Sequence, residues 1–260
     1  VSVVILSSDL SCPGDEIASQ VSSHLGYESL GADIEAAAAA NYGLSTDQLR
    51  QALSFSPSLT MRLLGAPEKY LACFQASLVA ALCRDNVLYS GAIGHMLVTD
   101  VSHIMKVKVT AELEDQVVWR AASDHVSEAR ARESLLREQA ACKKWFTKMF
   151  GVDGTEPSEF DLVVNVSQLG VEGAVRTIEE TVREVRFKPV TYSRNMIRDQ
   201  ELACRVKAGL VGELRDVAVT AKDGEVTIHS KAVRKSKQQK ISSLRDRVLE
   251  MEGVSYVVFG

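Results

Sequence analysis

The chain has 260 residues, 46% hydrophobic and 25% charged, and 30 Lys and Arg stand against 34 Asp and Glu for a formal net charge of −4. That is ordinary globular material, long enough for two cores, and no apolar run approaches the roughly 18 residues a membrane-spanning helix needs. No charged-then-apolar signal segment opens the chain, so the cytoplasm is the expected compartment; the start at Val1 in place of Met leaves room for a removed leader.

The opening, Val1 to Gly26, organises the first half. Val3-Val4-Ile5-Leu6 reads as a buried strand, Ser7 to Gly14 as a loop of small residues, and Asp15 to Leu25 as a helix with Ile17, Val21 and Leu25 on one face. A strand that breaks into such a loop and then a helix aims free backbone N–H groups at the loop, an arrangement suited to phosphate. The loop residues placed to meet a nucleotide are Ser11, Cys12, Gly14 and Asp15. A Walker A loop, however, needs G-x-x-x-x-G-K-[ST], with glycines to curl the backbone, a lysine for charge and a hydroxyl for Mg²⁺. Ser7 to Glu16 offers a single glycine, no Lys or Arg and three carboxylates, and Pro13 lacks an N–H. A retained but chemically silent strand–loop–helix is the expectation. Cys12 has no histidine near it in sequence and is expected to be inert.

Farther along, Ala32 to Ala40 is helical by propensity and Asn41-Tyr42-Gly43 closes it. Ser45-Thr46-Asp47-Gln48 predicts a capping box for a helix through Leu53, Phe55 to Leu64 gives no clear signal, and Glu68 to Arg84 has a wide apolar helical face. Asn86 to Tyr89 reads as a second strand, followed by the small residues Gly91 and Gly94 and by His95, where a substrate could approach closely; for His95, capping the helix that follows is the favoured reading over a phosphate or base contact. Ile104 to Val109 alternates as a third strand. Helices are predicted over Glu112 to Ala122 and from Ser127 to about Phe150, then a fourth strand at Asp161 to Asn165 and a closing helix over Val171 to Val185. Buried strands alternating with helices predict an α/β fold with a parallel sheet covered on both faces.

The five cysteines are odd in number and scattered, without C-x-x-C spacing, and the five histidines show no H-E-x-x-H pattern. Reduced thiols are expected, with no disulfide framework and no structural metal. Charge places a boundary: residues 1–186 hold 16 Lys and Arg against 25 Asp and Glu, whereas 187–260 hold 14 against 9. The change falls at Phe187-Lys188-Pro189-Val190, which predicts a first domain over 1–186, a linker over 187–194 and a second domain over 195–260. In the latter, a helix over Asp199 to Leu214, an Asp223-Gly224 hairpin between two short strands, a helix over Ser236 to Met251 and a last strand at Val254 to Val258 make a small α+β domain of order α-β-β-α-β.

Three spaced segments of the first domain resemble the cytidylate kinase-like family, P-loop relatives of nucleoside monophosphate kinases. They are Gly14 to Ala18 followed by Leu25-Gly26-Tyr27, the turn Tyr89-x-Gly91-Ala92-x-Gly94-His95, and Phe150-Gly151-Val152-Asp153 leading through Pro157 to Phe160-Asp161-Leu162-Val163-Val164-Asn165. The resemblance implies a P-loop kinase-like sheet, with ATP and Mg²⁺ as cofactors and a nucleoside monophosphate as substrate. The family's loop usually reads Ser-Arg-Gln-x-Gly-Ser-Gly-Gly; Ser7 to Gly14 lacks its arginine and two of its glycines, so ATP is expected to bind weakly or not at all. Gln139 and Cys142 stand where the family tends to show an acid and an arginine, with Lys143, Lys144 and Lys148 nearby as a solvated face.

The second domain resembles a BON domain, a module of bacterial envelope and stress proteins, through Val206 and Leu210 on its helix, the segment Val219 to Ile228, and Glu252-Gly253-Val254-x-x-Val257. That resemblance implies a phospholipid or protein partner, and hence a membrane-peripheral location. Lys231, Arg234, Lys235 and Lys237 form a basic run suited to anionic headgroups or a solvated loop; it lacks the interleaved aromatics of a nucleic-acid platform, so no specific nucleic acid is expected. Two readings stay open, a nucleotide-responsive or scaffolding pseudokinase coupled to a binding module and an active CMP-type kinase.

Overall fold

The computed structural model describes residues 2–55, 67–214, 216–231 and 238–260. Its strands are β1 (Val3–Ser8), β2 (Glu28–Leu30), β3 (Val87–Ser90), β4 (Ile104–Thr110), β5 (Leu162–Asn165), β6 (Ala218–Lys222), β7 (Glu225–His229) and β8 (Tyr256–Phe259). The helices are α1 (Gly14–Leu25), α2 (Ala32–Tyr42), α3 (Thr46–Leu53), α4 (Pro67–Leu82), α5 (Gly94–Leu97), α6 (Leu113–Asp124), α7 (Glu128–Phe150), α8 (Val166–Val182), α9 (Thr191–Leu210) and α10 (Gln238–Leu249). Among the described residues no helix is long and apolar enough to cross a membrane. The chain divides into two compact units, Val1–Gly31 with Arg84–Val190 and Ala32–Cys83 with Thr191–Gly260.

The first unit is an α/β fold around a five-stranded parallel sheet of order β2-β3-β1-β4-β5. Its central strand is apolar on both faces, with Val3, Val4, Ile5 and Leu6 fully buried, as a strand covered by helices on each side requires. One face closes on Ile17 and Val21 of α1 and Ala174, Val175 and Ile178 of α8. Because β1 and β4 run in parallel with Ser7 opposite Lys108, the C-terminal end of β4 comes up beside the loop that follows β1. The strand β2 is absent from the expectations above: it is three residues long, only Leu30 is buried, and such a segment carries too little pattern to read. The closing helix also starts earlier than its apolar periodicity indicates. Asn165 caps a first turn at Val166 by accepting from the Ser167 N–H at 3.0 Å, and Gly170 interrupts the helix with φ 66° and ψ 174°.

In the second unit α9 begins at Thr191, inside the stretch expected to be a linker. The small sheet has order β6-β7-β8, with β6 and β7 antiparallel and β7 and β8 parallel. Asp223 and Gly224 both have positive φ, 48° and 84°, which is what a two-residue hairpin turn between right-twisted strands demands. Leu202, Val206, Val226, Ile228, Leu244 and Val257 form the core here, joined by Ala72 from α4. The predicted capping box does not form: Ser45 stands at the N-cap of α3 with extended backbone but makes no side-chain cap bond. Gly43 does close α2, at φ 61° with Leu44 N–H bonded to the Ala39 carbonyl. Of the unclear stretch Phe55 to Leu64, all but Phe55 lies outside the described residues.

Candidate functional site

The loop after β1 curls back on itself. Cys12 N–H bonds to the Asp9 carbonyl at 3.2 Å and Gly14 N–H to the Cys12 carbonyl at 2.8 Å, while Asp9 N–H goes to Val109 of β4 at 2.9 Å. Ser11 adopts φ 63°, a left-handed conformation that glycine enters without strain and serine does not. Pro13 holds the N-cap position of α1, contributing no donor, and Asp15 and Glu16 put two carboxylates in the first turn. Gly14 is required by packing. A Cβ there would run into both the Cβ and Oγ of Ser8, so Gly14→Ala is expected to lower stability by about 1–3 kcal/mol, visible as a lower denaturant midpoint that Ser8→Gly partly restores.

Two cations that inspection of the loop residues alone could not find reach it from elsewhere. Lys108 of β4 places Nζ 2.7 Å from Asp9 Oδ1, and Thr110 donates to Asp9 Oδ2 at 2.6 Å. Arg120 of α6 donates from Nε to Ser11 Oγ at 2.8 Å and from Nη2 to Glu138 of α7 at 3.0 Å. The signal for Lys108 was in the sequence: Ile104-Met105-Lys106-Val107-Lys108-Val109 puts two lysines on one face of a strand otherwise destined for burial. Asp9 is therefore shielded, contrary to the reading of the loop as an unopposed cluster of acids. Both cations are already matched by carboxylates of this chain. Cys12, half-buried beside the same ion pair, has its thiol pushed up to about 12, first by burial and then by the Asp9 charge, and stays protonated.

The turn after β3 lies against this loop. The single Ser7 hydroxyl proton of β1 is shared between the Gly91 carbonyl at 2.9 Å and His95 Nδ1 at 3.2 Å, Gly91 N–H bonds to the Leu6 carbonyl at 3.0 Å, and Ser90 donates to Asp15 Oδ1 at 3.3 Å. Sites expected from sequence to hold cofactor and substrate are thus brought together. Gly91 and Gly94 leave room for the Tyr89 ring, which a Cβ at either would strike.

His95 turns inward. It is 2% exposed, with Nε2 2.8 Å from the Gly154 carbonyl and Nδ1 3.2 Å from Ser7 Oγ. A carbonyl only accepts, so Nε2 carries the proton. The ring lies between Phe146 and Phe160, at 5.6 Å and 4.5 Å between centroids. Burial lowers its pKa to about 4, with the nearby charges of Lys108 and Lys106 acting in the same direction and the Gly154 carbonyl opposing. It does not cap α5, whose N-cap makes no side-chain bond.

On α7, Lys143 pairs with Asp153 at 2.5 Å, which together with Thr155 holds the Asp153 carboxyl down at about 2. Lys144 and Lys148 are exposed. Lys231 is exposed; Arg234, Lys235 and Lys237 lie outside the described residues. Among the described residues no group of three or more His, Cys, Asp or Glu is placed to hold a metal ion.

ATP would meet a loop whose polar groups are partly committed already. The donors of Cys12 and Gly14 are spent on its own carbonyls, Pro13 has none, and the two cations within reach each carry a carboxylate partner. A triphosphate would have to displace these bonds and meet Asp15 and Glu16 at the helix start.

Comparison with known proteins supplies the family. The model of the cytidylate kinase-like family matches residues 3–168. A cytidylate kinase from Staphylothermus marinus is 31% identical over 102 residues, which cover 39% of this chain and 56% of that protein. A cytidylate kinase from Ignicoccus hospitalis is 31% identical over 96 residues, 37% of this chain and 55% of that protein. The chain thus spans about half the length of the curated relatives it matches. Among solved structures, an uncharacterized protein from Eubacterium ventriosum superposes with a TM-score of 0.51 at 10% identity, covering 70% of this chain and 97% of that one, a likeness of fold alone. With the family model spanning well over half of its residues, this chain belongs to the cytidylate kinase-like family.

Proposed function

We propose that this protein is a cytidylate kinase-like pseudokinase, in which the loop after β1 has exchanged phosphate binding for internal charge pairs and the scaffold serves a nucleotide-responsive or scaffolding role. The observation that carries this reading is the Asp9 carboxylate bound to Lys108 and Thr110, with Arg120 held by Ser11 and Glu138. Phosphoryl transfer depends on cations free to meet charge that spreads over the transferring group, and here both are satisfied before any nucleotide arrives. The C-terminal segment, with its α-β-β-α-β order, is read as a BON-like module that takes an anionic phospholipid surface or a protein partner. The 260-residue chain is then expected to co-sediment with vesicles containing anionic lipid at low salt and to be released at high salt.

One observation favours the second reading, an active kinase that transfers the ATP γ-phosphate to a CMP-type nucleotide: two cations stand at the loop at all. Titration of the full chain with ATP and CMP, with and without Mg²⁺, separates the two. The pseudokinase reading expects no turnover and an ATP Kd of about 1 mM or weaker. It also expects Asp9→Asn, which keeps an acceptor for Thr110 but releases Lys108, to bind ATP more tightly than the native chain. Stoichiometric phosphorylation of CMP by the native protein would overturn it.

A further inference from the structure

A cavity of about 400 Å³ opens beside the start of β4, on the side of Phe160 not taken by His95. Lys106, Asp100, Glu159, Phe160 and Val101 are among the residues that line it, and all belong to the first unit. A lysine on a central strand is costly to bury without compensation, and Lys106 is only partly exposed. Among the described residues no carboxylate comes within ion-pair distance of its Nζ. Burial lowers its pKa, while Asp161, Glu159 and Asp100 are near enough to pull it back up.

The other cation at the cavity is committed: Arg186 pairs with Asp161 at 2.6 Å and lies over the Phe187 ring at 5.3 Å. The wall therefore has one available positive pole at Lys106, a negative pole at Asp100 and Glu159, and an apolar strip formed by Val101 and Phe160. A dianion entering it would face Lys106 but also three carboxylates, and a simple cation would face Lys106 and Arg186. A molecule with one charge of each sign and an apolar group matches all three surfaces, and the volume is within the range of small-molecule sites.

We propose that this cavity binds a small zwitterion of the α-amino-acid class, its carboxylate on Lys106, its ammonium between Asp100 and Glu159, and its side chain against Phe160 and Val101. Neither the nucleotide-site geometry nor the pseudokinase reading enters this assignment.

The probe is L-leucine, titrated into the full chain by calorimetry, with backbone NMR shifts locating the site. Saturable binding is expected, with shifts at Val101, Lys106 and Phe160. L-leucinamide, which has no carboxylate, and N-acetyl-L-leucine, which has no ammonium, should each bind at least about tenfold more weakly. Lys106→Met should lose a similar factor, Lys106→Arg should retain most of the affinity, and Asp100→Asn should weaken leucine but not N-acetyl-leucine. Unfolding midpoints of each variant, and the Lys106→Arg result in particular, separate loss of a ligand contact from loss of fold. Absence of saturation by about 10 mM leucine, equal binding of either analogue, shifts confined to another region, or unchanged affinity in a folded Lys106→Met overturns the proposal.

Discussion

Replacing Phe146 by alanine is expected to lower the unfolding free energy by about 3–5 kcal/mol, the range for truncating a fully enclosed aromatic side chain. Phe146 is 2% exposed and stacks edge to face on Trp145 at 5.5 Å, with Phe150 at 6.0 Å and His95 at 5.6 Å. The surroundings are poorly able to collapse into the space left behind. Gly154 packs directly on the ring, where a Cβ would lie 2.7 Å from Cε1, and it is tied by its carbonyl to His95. Chemical denaturation of the variant measures the loss, and Phe146→Leu should give back roughly half of it by refilling part of the volume. A loss below about 1 kcal/mol would mean the ring is less enclosed than it stands here. A second effect has a separate readout: with the ring gone water reaches the imidazole, so the His95 pKa should climb back from about 4 toward its ordinary value of 6.5.

What the chain discloses without coordinates follows the range of the interaction involved. β1, β3 and β5 are legible as short, largely apolar runs bounded by turn residues, β4 because it alternates, and α1, α6 and α7 because their apolar residues recur every three or four positions. The Asp223-Gly224 turn is legible for the same local reason. By contrast, the helical turn over Val166–Gly170 depends on a cap from Asn165 and a break at Gly170, and neither leaves a periodic trace. The failure of Ser45 to cap α3 shows the limit of a motif read by residue type alone.

The candidate site divides in the same way. Its glycines and its unusual loop are visible in sequence, since a missing lysine and an extra proline are facts about single positions. The charges that complete the loop are not, because Lys108 meets Asp9 only through the parallel register of β1 on β4, and Arg120 meets Ser11 across 109 residues of chain. His95 is the plainest case. After two glycines it reads as a ligand contact or a cap, yet the partners that fix it, Ser7 and Gly154, lie 88 and 59 residues away. The structure uses it to tie the end of β1 to the segment after α7, and so to hold the two walls of the loop region in register.

That tie makes His95 a group that should shape the mild-acid stability profile. Its folded pKa of about 4 lies below its ordinary 6.5, so the folded chain keeps the ring neutral over a range in which the unfolded chain takes up a proton. Between those two values lowering the pH favours the unfolded state, and the group's contribution falls by about 3 kcal/mol in all, with no further loss from it below pH 4. Asp153 acts in a separate window, because its folded pKa of about 2 lies below the ordinary 3.8 and its contribution disappears only as pH drops from 3.8 toward 2. Denaturation curves collected from pH 7 to pH 4 should therefore slope downward with acid. His95→Gln, which keeps a donor for Gly154 but cannot take up the proton, should flatten the slope even if it lowers the plateau. Titration of the His95 ring signals in the native protein gives a reading independent of any variant: that imidazole should remain neutral down to about pH 4. If the His95 ring titrates near 6.5, or if native and His95→Gln slopes run parallel, the ring is wetter than its hydrogen bonds and two aromatic neighbours require, and its role as the tie between β1 and Gly154 fails with it.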